Sequence, residues 1–401
     1  MKKNNISKFD HCYGCGVCVS VCPVKIIDFK ENHTGFYSPI VTNQGKCIEC
    51  GLCLKICAYN HKVLSQITKD KIKGYAGYSL DKRIRECCSS GGIAFELGKV
   101  SLNTGYKACG VRYNDKKRRA EHFIAETIEE FYSTIGSKYI PSFSAYAFSQ
   151  INRKEKYLVT GTPCQIDSFR RLIQHFQIEE NFILMDFFCH GVPSLLLWDK
   201  YLHEVENKIG LATDVSWRSK IYGWHNSYVI SIQTKTYSVN PLSTKDNSSE
   251  RLHESYNSSM AEGDLFFKFF LGDFCLNECC YKDCKYKKYN SAADIRIGDF
   301  WGKTYAADTK GTNTILSFTD KGKQTIDQLA NSSCSIKEIP IHIATEGQMS
   351  ACAHEPWVVP YIFKALKSTD SLSQIAHKWC RLYRLSIIHR RIVNKVRKLI
   401  N

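Results

Sequence analysis

The sequence predicts a three-part chain: a small α+β module over residues 1–66, an α/β domain over 67–320, and a C-terminal helical extension over 321–401. Three observations predict it. A cysteine-rich run near the start is duplicated, a strand-helix-strand pattern stands in the middle, and the C-terminal end mixes basic and apolar residues at helical spacing. At 401 residues and 43% hydrophobic content, the chain can bury a sizeable core behind a small module.

In the duplication, Cys12, Cys15, Cys18 and Cys22 recur as Cys47, Cys50, Cys53 and Cys57, each 35 residues later, and Gly16 recurs as Gly51. Each run reads C-x2-C-x2-C-x3-C; Pro23 follows the first and Ala58 the second. No run of about eighteen apolar residues occurs and no apolar signal region opens the chain, so a cytoplasmic protein is expected. There, 20 cysteines point to metal ligation rather than disulfides, because the cytosol keeps thiols reduced. Structural zinc commonly uses separated C-x2-C pairs, so three cysteines at successive two-residue gaps fit an iron-sulfur cubane better. The repeat resembles bacterial two-cluster ferredoxins, in which the fourth cysteine of each run reaches across to the other cluster. The resemblance implies one 4Fe-4S cluster on Cys12, Cys15, Cys18 and Cys57, and a second on Cys22, Cys47, Cys50 and Cys53. Between the runs, Asn32-His33-Thr34-Gly35 reads as a hairpin turn.

In the middle, Ser89-Ser90-Gly91-Gly92 precedes Ile93, Leu97, Val100 and Leu102, the pattern of a serine-capped helix with free amides suited to a phosphate. An ordinary capped helix is the competing reading. Thr127-Ile128-Glu129-Glu130 has the form of a capping box. Lys156 to Thr160 reads as a buried strand, Gly161-Thr162-Pro163-Cys164 as a loop, Gln165 to His175 as a helix, and Phe182 to Phe188 as a second strand ending at Cys189-His190-Gly191. Such crossovers join parallel neighbours, so Cys164 and Cys189 are expected at the carboxyl edge of one sheet, where ligands of open α/β sheets bind. Cys275, Cys279, Cys280 and Cys284 crowd ahead of a strand-like segment from Ala293 to Gly302. Folded over the same edge, Cys280 and Cys284 would join Cys164 and Cys189 in a third 4Fe-4S site, with a zinc knuckle as the alternative.

The formal charge is +16, and Lys378, Arg381, Arg384, Arg390, Arg391, Lys395, Arg397 and Lys398 supply half of it, with no acidic residue after Asp370. Ile375, Trp379, Leu382, Leu385, Ile388, Ile392, Val396 and Leu399 recur between them at helical steps. This basic amphipathic helix either packs its apolar face on the domain or lies, through residues 375–401, on an anionic membrane surface. Two shorter basic runs, Lys116 to Arg119 and Lys285, Lys287 and Lys288, read as solvated surface or as contacts for an acidic electron carrier or anionic lipid. No nucleic-acid partner is expected.

Taken in order, Ser89-Ser90-Gly91-Gly92, Ser137-Lys138-Tyr139, Gly161-Thr162-Pro163-Cys164-Gln165, Cys189-His190-Gly191-Val192-Pro193-Ser194, and Ala293-Asp294 through Gly298-Asp299-Phe300-Trp301-Gly302 resemble the coenzyme F420 hydrogenase/dehydrogenase beta-subunit family. The resemblance covers the chain to about residue 320. It implies FAD in a flavin-binding α/β domain, an extra iron-sulfur cluster beside it, and electron transfer between a one-electron carrier such as ferredoxin and a small organic acceptor. Similar proteins stand among surface-polysaccharide biosynthesis genes. By position, Ser89, Ser90, Gly91, Gly92, Ser137, Lys138, Tyr139 and Thr162 are the flavin-contact candidates, and His190 is the candidate proton donor. The spacing of Cys280 and Cys284, with three intervening residues, departs from the family pattern of two. Clusters pass single electrons and a flavin stores two, so the expectation is a flavin-dependent oxidoreductase. A non-catalytic electron-transfer subunit and a membrane-docked scaffold with structural clusters are the competing functions.

Overall fold

The structure is a computed structural model that describes residues 4–65, 72–234, 236–237, 251–252 and 255–400. In the N-terminal module the two cysteine runs feed two short helices, α1 (Val17–Val21) and α2 (Leu52–Lys55), on either side of an antiparallel hairpin of β1 (Ile27–Glu31) and β2 (Tyr37–Val41). The duplication is visible in the backbone. Each helix starts on a left-handed glycine, Gly16 at φ 73° and Gly51 at φ 66°, a conformation that side-chain-bearing residues rarely adopt. The turn expected at 32–35 closes the hairpin.

Behind the module, nine strands among the described residues form one mixed sheet. In chain order they are β3 (Lys73–Ser79), β4 (Lys107–Asn114), β5 (Arg119–Ala125), β6 (Ser142–Phe143), β7 (Tyr157–Thr160), β8 (Phe182–Phe187), β9 (Ile295–Asp299), β10 (Asn313–Ser317) and β11 (Cys334–Ile339). Their spatial order is β11-β3-β10-β9-β8-β7-β4-β5-β6. The central four, β9, β8, β7 and β4, run parallel, with Thr160 opposite Met185 and Arg296 opposite Asp186. Apolar runs such as Tyr157-Leu158-Val159 and Phe182 to Met185 are buried, as parallel strands covered on both faces must be.

The expected strand-helix-strand unit is β7, α4 (Pro163–His175) and β8, and here the sequence reading needs two corrections. Proline is well placed in a helix's first turn, so α4 begins at Pro163 and Cys164 lies in that turn rather than in a loop. Phe188 lies just past the strand. On α4, Ile166, Phe169, Leu172 and Ile173 face inward and share one core with Val17, Val21, Leu54 and Ile56 of the module. The module is thus welded to the sheet domain. Helix α3 (Ile93–Asn103) forms as the sequence predicts, but its cap is Gly92, not a serine. Thr127 Oγ1 accepts from the Glu130 amide, yet the α-helix that follows is only Ile128–Phe131.

Beyond β8, α5 (Leu195–Ile209) leads into an antiparallel sheet of Ala212–Ser216, Val229–Thr234 and Ser255–Ser259, and then the helix Leu265–Leu271. The main sheet also continues past residue 320. After α7 (Asp320–Ala330; α6 is described below), β11 pairs with β3, setting Ile336 opposite Gly77, so a boundary at 320 would cut the sheet. The boundary expected at 66 lies outside the described residues. The chain ends in α8 (Arg381–Ile400), while the side chains of Val396, Arg397, Lys398 and Leu399 lie outside the described residues. Among the described residues, no helix is long and apolar enough to cross a membrane.

Candidate iron-sulfur and cofactor site

The two cysteine runs converge in crossed fashion. Burial, then the neighbouring thiols of Cys15, Cys57 and Cys12, push the Cys18 thiol well above its usual range. Cys57 is pushed up to about 12 by burial and by Cys15 and Cys12, although it belongs to the other run. Conversely, Cys53 has Cys50 and Cys22 as its thiol neighbours, and Cys47 Sγ accepts from Asn5 Nδ2 at 3.4 Å. Cys50, in the set with Cys22, Cys47 and Cys53, is exposed, whereas Cys18 and Cys57 of the other set are both buried, so one set opens to solvent and the other lies inward.

A third gathering lies one helical turn away. Cys164 has Cys189, Cys280 and then Cys15 as its thiol neighbours. Cys280 faces Cys189 and Cys284, and Cys189 faces Cys284. The segment carrying Cys280 and Cys284 is held over the sheet edge by backbone bonds from Asn277 N to Val192 O, 2.9 Å, and from Ser194 N to Cys275 O, 2.9 Å. There α6 (Glu278–Lys282) is capped by Asn277, whose Oδ1 accepts from the Cys279 amide. Cys280 lies within α6 and Cys284 two residues past its end. Helix α4 bridges the two inner sets: Cys164 is in its first turn, and Ser168 Oγ lies 3.3 Å from Cys15 Sγ while accepting from the Ala58 amide at 3.0 Å. Tyr13 lies among Cys164, Cys279 and Cys284, its hydroxyl donating to Asp283 O at 2.7 Å. Among the described residues, no group of three His, Cys, Asp or Glu forms a site for a single metal ion.

Next to the third set, at the carboxyl ends of the parallel strands, opens a cavity of about 520 Å³. Cys189, His190, Tyr13 and Lys287 form part of its wall, as do Gly110, Thr160, Met185 and Asp299 from the strands. Its volume lies in the range of small-molecule and cofactor sites. On one side Arg218 is buried, donating to Asp299 Oδ2 at 2.8 Å and to Tyr139 Oη at 3.0 Å, with its guanidinium over the Tyr228 ring.

Residues 154–341 match the family described as the C-terminal part of the coenzyme F420 hydrogenase/dehydrogenase beta subunit, and residues 11–61 match the 4Fe-4S dicluster domain. Over residues 154–341 the chain is similar to this beta-subunit family. The coenzyme F420-dependent sulfite reductase of Methanocaldococcus jannaschii is 27% identical over 176 residues, 44% of this chain and 27% of that protein. One subunit of the F420H2 dehydrogenase of Methanosarcina mazei is 23% identical over 209 residues, 50% of this chain and 57% of that one. The matches therefore span from about a quarter to a little over half of those relatives' lengths. A chain of the F420-reducing NiFe hydrogenase complex from Methanosarcina barkeri is 15% identical, with a TM-score of 0.44 over 78% of this chain and 94% of that one.

Of the family-derived flavin candidates, Ser89, Ser90, Gly92, Ser137, Lys138, Tyr139 and Thr162 line the cavity; Gly91 does not. At Gly91 a side chain would strike Gly77 O at 2.7 Å, so its role is to let two backbones approach. The polar groups are already partnered. Ser89 Oγ accepts from the Ser137 amide, and the Ile93 amide donates to Asn313 Oδ1, leaving the helix start poorer in free amides than its sequence implies. Lys138 is also committed: its ammonium donates to the carbonyls of Ser133, Thr134 and Ile135, and burial pushes it down to about 7. His190 faces the cavity and is held by Asp273, Nε2 to Oδ1 at 2.8 Å. Cys279 is turned toward Cys12, and Cys275 toward Cys380, outside the third set.

The two short basic runs differ: Lys116, Lys117 and Arg118 are exposed, whereas Lys285 is half-buried and Lys287 buried. Lys285 donates to the carbonyls of Ala58 and His61, pinning the module, and buried Lys287 donates to those of Cys189 and His190. Lys117 and Arg119 pair with Glu121, and Arg118 with Glu206. Reasoning from sequence missed Arg218 and Tyr13, for different reasons. A lone arginine in Trp217-Arg218-Ser219 carries no local signal, whereas Tyr13, between two predicted ligands, could have been inferred to sit against a cluster.

Proposed function

We propose that this chain is an iron-sulfur flavoprotein oxidoreductase that takes single electrons at its outer module and delivers pairs to an organic acceptor in the cavity. The observation that carries the reading is the order of the thiol sets: the set with exposed Cys50, then the set of Cys12, Cys15, Cys18 and Cys57, then the set of Cys164, Cys189, Cys280 and Cys284, which reaches the cavity wall at Cys189. We assign a 4Fe-4S cluster to each set, with Cys22, Cys47, Cys50 and Cys53 holding the outer one.

The cavity's wall of glycines, serines and aromatic rings suits a flavin. Tyr139, Thr162, Ser89 and Ser90 are the residues that would hold it, with Lys288 a cation on the same wall for its phosphates. When bound, a flavin supplies the step from one-electron to two-electron chemistry. The chain's own residues do the positioning. Lys138 ties down the loop before Tyr139, Arg218 and Asp299 hold one wall, and His190, oriented by Asp273, presents a proton-carrying ring to the cavity. The electron donor on this reading is a ferredoxin-like carrier docking near Cys50. The acceptor is a small organic molecule; the deazaflavin coenzyme and a surface-polysaccharide intermediate are the two classes to screen.

Anaerobic purification with iron, sulfide and flavin analysis tests this. About twelve irons and one FAD per chain are expected. About eight irons and no flavin after reconstitution would sink it. A second reading, an electron-delivery subunit without turnover of its own, is favoured by the Methanosarcina mazei relative being a dehydrogenase subunit. It predicts reducible clusters but no acceptor turnover by the isolated chain.

A further inference from the structure

The C-terminal helix leaves a wide apolar face uncovered, and its own neighbours supply what that face needs. On the inner side of α8, Tyr383 packs edge-on against Phe274 at 5.5 Å and Ser386 accepts from Trp357 Nε1 at 3.1 Å. On the outer side, Leu382, Leu385, Ile388 and Ile392 are 43%, 52%, 52% and 57% exposed, spaced three and four residues apart along one stripe. The expectation that this face packs on the domain is met at Ile375 and Trp379 but not from Leu382 onward. Exposed Trp357 and Tyr361 stand beside the helix, with Tyr361 stacked on Trp379 at 4.8 Å. Arg381, Arg384, Arg390, Arg391 and Lys395 are exposed along the same helix, and no carboxylate follows Asp370 in the sequence.

We propose that α8, with Trp357 and Tyr361, docks this protein on an anionic lipid surface. Three features together select lipid over a protein partner. The apolar stripe is flanked by cations that would enter a headgroup layer as the leucines and isoleucines enter the acyl boundary. Tryptophan and tyrosine at the junction are the residues that favour that interface. A second copy of the helix would instead bring two unneutralised basic rows together. This proposal does not depend on the cofactor content.

The test is flotation of the full-length, anaerobically purified protein with vesicles of phosphatidylcholine alone or mixed with phosphatidylglycerol. Binding to the mixed vesicles, weakened by salt, is expected. Replacing Leu385 and Ile388 with Glu should weaken it by at least about a hundredfold, and replacing Arg390 and Arg391 with Ser by about tenfold or more. All four side chains are exposed, so iron content and circular dichroism should stay unchanged and report intact folding. Equal affinity for both vesicle types, no binding, or a self-association that the Glu variant abolishes without any effect on vesicles would overturn the proposal.

Discussion

Arg296→Met should cost this protein several kcal/mol and release the segment after Cys284. Arg296 and Asp186 sit opposite one another on β9 and β8, and both side chains are fully buried. The guanidinium donates Nε to Asp186 Oδ1 and Nη2 to Oδ2, both at 2.7 Å. Its remaining donors go to the carbonyls of Tyr286, Lys288 and Asn290 at 2.9, 2.6 and 3.1 Å, and Ser291 Oγ completes the carboxylate at 2.7 Å. Every donor of the guanidinium is used. Removing one partner of a buried pair costs about 3–5 kcal/mol, because the other charge stays buried and unpaired, and the three orphaned carbonyls push the value to the upper end. A charge-free pair of similar volume, Asp186→Leu with Arg296→Met, should recover much of the carboxylate's share but not that of the carbonyls. Urea unfolding of each form under anaerobic conditions, followed by circular dichroism, measures both. A single variant within about 1 kcal/mol of the parent, or a double variant no more stable than the single, would refute the reasoning.

Three further outcomes are expected. Once Cys15 is a cluster-bound thiolate, the Ser168 hydroxyl, already accepting from the Ala58 amide, must donate to sulfur; Ser168→Ala should lower the midpoint potential of the inner cluster by tens of millivolts and leave the outer one alone, read by redox titration with electron paramagnetic resonance. Cys164→Ser should remove about four irons per chain while the dicluster signals persist, and loss of all iron would contradict three separable sites. His122 is buried on β5 with Nε2 on Thr160 O, and burial pushes it down to about 4. Its folded form binds fewer protons than the unfolded chain between about pH 6.5 and 4, so its contribution, about 3 kcal/mol, is intact above that window and lost as pH falls through it. His122→Gln should flatten that part of the stability-pH curve, and an unchanged slope would show that the imidazole does not carry it.

What the sequence revealed followed its local repetition. Cysteine spacing, short apolar runs and a crossover are all short-range signals, which is why the hairpin, β7, α4 and β8 stand where their residues place them. Caps and charges were harder to read because their meaning depends on distant carbonyls. Serine at the start of α3 has cap chemistry, yet Ser90 Oγ donates to Thr312 O and Ser89 serves Ser137, leaving the cap to a left-handed glycine. Lys138, Lys285 and Lys287 have the same explanation. Each looks like a free cation in sequence and each is occupied by backbone carbonyls, those on Lys138 from the turn just before it and those on Lys285 and Lys287 from segments that only the fold brings near.

The way the module is fastened bears on how electrons would move. Ser144 donates to Cys15 O at 2.8 Å, Ser194 to Thr34 O at 2.6 Å, and Lys285 holds the chain just past Cys57, so the contact is polar and specific as well as apolar. A tethered but mobile ferredoxin would need none of these bonds, since linkage alone raises the effective concentration of one redox partner near another. The bonds instead fix the distance between the inner set and Cys164, and they bury the inner set so that its partner is internal. Exchange with an external carrier is then left to the set with exposed Cys50. A fixed relay of this kind loses the option of shuttling. On the proposed relay it would gain a constant inner spacing, so that a second electron would reach the cavity by the same route as the first.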